Sequence, residues 1–152
     1  MSNFEIDNFV FCEQVRPEVG GRYTLLGATA PELNVDVHNI DTSVSPAPIP
    51  LIPVSLFLIG TATAKGSFGA EIRVNSPKGE MIAGAKLQGD FNSSGPSSIG
   101  LGPFPIAASL QGEYVFEWKF GDNEWVKIAT LKLNIKQTRA TSETILSEMK
   151  QP

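Results

Sequence analysis

Few side chains in this sequence are of the kind that makes or breaks bonds. There is one histidine, His38, and one cysteine, Cys12. Any Ser-His-Asp or Cys-His relay must therefore use His38. Cys12 ends the apolar run Phe9-Val10-Phe11-Cys12, the setting of a small buried hydrophobe and not of an activated thiolate. A Cys12–His38 nucleophile pair is set aside on that ground. The chain is read as a non-enzyme with no catalytic residue.

Metal ligands are the next possibility. Asp36-Val37-His38, with Asp41 close behind, offers three ligating residue types. Residues 36 and 38 share a face of a strand, so that pair can meet one ion. Asp90, Asp122 and Glu124 are a second set, of the kind that gathers at one end of calcium-binding sandwiches. Neither has a diagnostic spacing, and solvated strand ends and turns account for both. No metal and no cofactor is expected. Glu113 and Glu117 share a strand face but stand about 13 Å apart, wider than a glycosidase pair; they read as surface charges. Gly100-x-Gly102 is followed by Pro103 and an extended run, not by the helix a phosphate site requires.

Charge narrows the partners. Net charge is −4, from 12 Lys and Arg against 16 Asp and Glu. Nucleic acid wants the opposite balance. Lys127, Lys132, Lys136 and Arg139 do cluster late in the chain, where lysines guard a sheet edge against unwanted pairing. The longest apolar stretch, around residues 47 to 60, contains Pro48, Pro50 and Pro53 and is too short to span a bilayer. The start MSNFEIDNF lacks the basic and apolar regions of a secretory leader, and a single cysteine forms no internal disulfide. A cytoplasmic location is expected, with neither nucleic acid nor membrane as partner.

The elements that would position these residues follow a period of two. The chain has 152 residues, 41% hydrophobic and 18% charged, enough for one core. Strand-like runs fall at about 8–14, 22–27, Glu32–His38, Val54–Thr63, Ser67–Asn75, a return strand through Met81, Ala83, Ala85 and Leu87, Phe104–Leu110, 113–120 and 124–136. Gly20-Gly21 and Ser76-Pro77-Lys78-Gly79 are turn signals. Asn39–Pro53 reads as a long connection that suits an extended edge or a crossing between two sheets, because its prolines lack the donors of a central strand. Residues 89–103 read as a flexible loop from their Gly, Ser and Pro content. In the last strand the inward parity switches from Val126 and Ile128 to Leu131, Leu133 and Ile135, which predicts a β-bulge near Ala129 and Thr130.

The stretch GEYVFEWKFGDNEW, residues 112–125, is the most patterned. Tyr114, Phe116, Trp118 and Phe120 point one way, and Glu113, Val115, Glu117 and Lys119 the other. That predicts one face on a core and one in water. Trp125 follows the turn and either caps the core or lies at the surface.

These signals predict an all-β fold: an antiparallel two-sheet β-sandwich of about eight strands, immunoglobulin-like or similar, with a closed barrel as the alternative. The sandwich domain is set at residues 1–137 and a tail at 138–152. The tail has two readings: a short helix capped by Thr141 or Ser142 with Ile145, Leu146 and Met149 on one face, or disorder.

Residues 9–27, FVFCEQVRPEVGGRYTLLG, resemble the opening of a family of uncharacterised bacterial proteins. That opening has an apolar strand, an acidic then Val-Arg-x-Glu segment, a glycine turn and a Leu-Leu-Gly ending. Here these are Glu13, Val15, Arg16, Glu18, Gly20, Leu25, Leu26 and Gly27. VNSPKGE and FPIAASLQGEYVFEWKFGD are similar in style to later parts of the family. The resemblance covers about residues 8–136 and implies fold, with no activity and no site residues to transfer.

The expectation is a bacterial, non-enzymatic protein-interaction or structural module, its partner another protein or a second copy. Residues 46–53, the 89–103 loop and the tail helix are the expected contact elements. The alternative is a small-ligand or carbohydrate-binding module using the end loops and Trp125.

Overall fold

The computed structural model describes residues 3–39 and 50–139. They form ten strands: β1 (Phe4–Cys12), β2 (Gln14–Pro17), β3 (Tyr23–Leu26), β4 (Glu32–Asn39), β5 (Leu51–Ala62), β6 (Gly66–Asn75), β7 (Met81–Phe91), β8 (Gly95–Ala107), β9 (Gly112–Phe120) and β10 (Val126–Arg139). A three-stranded sheet, β1-β5-β8, packs on a five-stranded sheet, β4-β10-β9-β6-β7, and β2 and β3 form a small hairpin. The protein is an all-β sandwich. Among the described residues no helix is long and apolar enough to cross a membrane.

The aromatic row is the inner face of β9. Tyr114, Phe116, Trp118 and Phe120 are all buried. Phe116 meets Phe11 of the opposite sheet at 5.2 Å and Phe104 at 6.1 Å between ring centroids, and Trp118 meets Phe4 at 5.9 Å. Each large ring removed from water stabilises the fold by roughly 1.5–3 kcal/mol, so this strand anchors the core. The Tyr114 hydroxyl donates to the Leu110 carbonyl at 2.6 Å, a corner device of immunoglobulin-type sandwiches.

Both expected turns are present. Gly20 and Gly21 take φ of 81° and 71°, and the Glu18 amide donates to the Arg22 carbonyl at 2.7 Å. In the 76–79 turn the Gly79 amide donates to the Ser76 carbonyl at 2.8 Å. The expected bulge in β10 falls at Ile128, between Lys127 and Ala129.

Four expectations are corrected. The run 8–14 is two strands, because the chain changes sheets at Glu13: Cys12 pairs with Ser55, whereas Gln14 pairs with Leu26. Residues 89–103 are mostly strand, with β7 running to Phe91 and β8 starting at Gly95. Their small residues mislead because Ser98 and Gly100 lie on the outer side of β8 while Ile99 and Leu101 enter the core. Gly100 has to be small: a Cβ there would stand 2.8 Å from Val15 Cγ1 of the β2–β3 hairpin, which lies over this sheet. Residues 51–53 belong to β5, although Pro53 has no donor. The register of β1 ends at Ser55, so Pro53 has one neighbouring strand, where it stands opposite Pro105. Finally, the return strand buries less than its alternation implies. Met81 is 68% exposed and Ala85 is exposed, because β7 is the edge of its sheet.

Nearly all pairings are antiparallel, but β4 runs parallel to β10. The chain after β3 crosses from one layer to the other: Thr29 bridges Phe11, and Pro31 accepts from the Lys132 amide at 2.9 Å. It arrives beside β10 already heading the same way. The predicted tail features, Thr141, Ser142, Ile145, Leu146 and Met149, lie outside the described residues.

Candidate functional site

Among the described residues, those whose types could do chemistry stand apart. Cys12 is buried and lines a cavity of about 160 Å³ with Glu13, Leu33 and Val54. Burial pushes its thiol up, only partly offset by a backbone hydrogen bond at Gln14; this is a protonated thiol. The backbone at His38 lies five residues, about 16 Å, along β4 from Leu33. Among the described residues no three His, Cys, Asp or Glu side chains group to hold an ion; Asp41 lies outside them. Asp36 stands opposite Lys136 in the register, and Asp90 accepts from Ser67 Oγ at 2.7 Å. Gly100 and Gly102 are strand residues.

The late lysines face carboxylates. Lys132 Nζ is 3.8 Å from Glu32 Oε1. Glu117 is more than a solvated charge: it accepts from Arg73 Nε at 2.6 Å and from Asn75 Nδ2 at 2.8 Å. Trp125 lies on this same outer face. The Arg73 guanidinium carbon is 4.2 Å from its ring centroid and Lys119 Nζ is 5.7 Å away. The indole is thus clamped to the sheet by cations, a structural use of the ring that the alternative of a ligand platform did not foresee.

A different region has the form of a binding site. A groove of about 490 Å³ opens on one side of the sandwich between β1 and the start of β10. Its floor is apolar: Phe4, Ile6, Phe9, Trp118 and Ile128. Its rim carries Asp7, Asn8, Val126 and Lys127. Ligand sites commonly combine such a floor with a few polar groups. Each wall carries a β-bulge at the groove, one between Ile6 and Asn8 and one between Lys127 and Ala129. Bulges bend strands apart and re-aim side chains at such edges.

The groove exists because one strand position is half filled. β10 has β9 on one side along residues 126–133. On its other side β4 pairs with residues 132–139 only. Among the described residues no strand pairs with that side of β10 from Val126 to Leu131. Val126 shows the consequence. It pairs with Trp118 and has inward parity, yet it is 55% exposed. The upper end of the gap is closed by the crossing through Thr29 and Pro31. On β1, the Asn8 side chain accepts from the Phe9 amide at 2.8 Å and blunts that wall as a template. Among the described residues the exposed edge of β10 has no such cover.

Sequence reasoning placed Val126 in the core and missed the groove. The inward parity of Val126 is legible; the empty space beside it depends on where β4 starts to pair.

No protein-family model matches the chain, and no curated protein matches it. Among solved structures the chain is similar to the crystal structure of the C-terminal domain of wzt, with a TM-score of 0.47 and 9% identity, over 91% of this chain and 76% of that one. A likeness at this level carries no functional argument.

Proposed function

We propose that this protein is a non-enzymatic interaction module that accepts one extended segment of a partner protein as an added strand beside β10. The observation that carries the reading is that, among the described residues, no strand pairs with residues 126–131 on the side that β4 fills only from Lys132 onward. Main-chain groups of residues 126–131 supply affinity in such strand addition, and pockets for alternate side chains supply selectivity. The vacant stretch is about 20 Å long, and the apolar floor beneath it receives every second side chain. Val126 and Ile128 gain cover when the strand arrives.

A photoreactive residue in place of Val126 tests this in the native host. The expected adduct maps by mass spectrometry to one recurring short extended segment of one partner protein. The same residue in place of Ile82, on the opposite edge strand, gives no such adduct. Adducts scattered over many proteins, or identical at both positions, would contradict the reading.

A further inference from the structure

The outer face of the five-stranded sheet carries three cross-strand rows of alternating charge, each pair of neighbours attractive. One row is Glu32 on β4, Lys132 on β10 and Glu113 on β9. A second is Lys119 on β9, Glu71 on β6 and Lys86 on β7, with Lys86 Nζ 3.8 Å from Glu71 Oε1. A third is Lys127 on β10, Glu117 on β9 and Arg73 on β6.

The first and third rows differ in one respect. In the first, β4 occupies the position beside β10 and brings Glu32 up to Lys132. In the third, no described strand takes that position. Lys127 has a carboxylate on one side only, and that carboxylate is already held by Arg73 and Asn75. We infer that the strand received beside β10 carries Asp or Glu opposite Lys127, flanked by apolar residues that turn into the groove near Val126. The inference rests on the strand-addition reading above and names what that strand must look like. The chain's net charge of −4 does not oppose it, because exposed charges farther than about 8 Å are screened at physiological salt. Asp7 lines the same groove from the other layer, but its carboxylate is engaged there, accepting from Thr61 Oγ1 at 3.3 Å.

Two fluorescein-labelled hexapeptides test it by anisotropy with the full chain: Val-Thr-Val-Glu-Val-Thr and its counterpart with Lys for Glu. The acidic probe is expected to bind at least tenfold tighter. Lys127→Glu should reverse the order, and Val126→Arg should abolish both. Equal binding of the two probes, both lost in Val126→Arg, would overturn the acid selection and leave strand addition standing. Binding of neither probe would overturn both. Sedimentation of the chain alone separates two other occupants. A dimer dissolved by Val126→Arg would assign the position to a second copy and overturn the acidic partner. So would a tenfold gain in probe affinity on Ile145→Asp with Met149→Asp in a monomer, which would assign it to the chain's own C-terminal segment.

Discussion

Phe116 is the residue on which the two layers close. It is 0% exposed and touches rings from β1 and β8. Phe116→Ala should cost about 3–5 kcal/mol, read as a fall in the urea midpoint; a loss below about 1 kcal/mol would show that the layers do not meet there. On the outer face, Arg73→Met keeps the length of the side chain and removes the cation beneath Trp125. Trp125 emission should move to the red while buried Trp118 stays constant, with a stability loss of about 1–3 kcal/mol, because the 2.6 Å hydrogen bond to Glu117 is lost as well. The aromatic row was legible because alternation on one strand is a local property. The seat of Trp125 was not: its partner Arg73 is more than fifty residues away in sequence, joined to it by the register of β6 on β9.

At the scale of elements, the β2–β3 hairpin covers the three-stranded sheet through Val15 over Gly100 and Tyr23 over Phe57, whose rings are 5.1 Å apart. Gly100→Leu should lift the hairpin without opening the core. The expected sign is faster tryptic cleavage after Arg22 with cooperative melting retained; unchanged cleavage would mean that the hairpin does not rest there. This packing explains why residues 89–103 misled as sequence. Glycine and serine there serve close approach within a strand, and composition alone does not separate that use from a loop. The turns at Gly20-Gly21 and Ser76–Gly79 were legible because turn chemistry is written in consecutive residues.

At the scale of the whole molecule, two buried acids set the alkaline limit. Burial pushes both the Cys12 thiol and the Tyr114 phenol up. Each holds its proton more tightly folded than unfolded, so its contribution is complete below the unfolded-chain value and is lost as pH climbs through the folded one. Stability should be level from neutral pH to about 8.5, the ordinary thiol value, and fall above it. Cys12→Ala should delay the first part of the fall. A urea midpoint that holds or rises between about pH 9 and 10.5 would contradict this. Val126→Arg, by contrast, should leave the midpoint at pH 7 within about 0.5 kcal/mol, since the side chain is more than half exposed.

The vacant strand position is itself a whole-molecule property. It follows from the parallel arrival of β4 and from the point where that strand starts to pair, neither of which any single stretch of sequence specifies. Amide hydrogen exchange along β10 in the free protein measures it most directly. Amides of residues 132–139 that point to β4 should be protected, as should those of 126–131 that point to β9. The remaining amides of 126–131 should exchange at close to open-chain rates. Uniform protection from Val126 to Leu131 would mean that the position is already filled, and strand addition would fall with it.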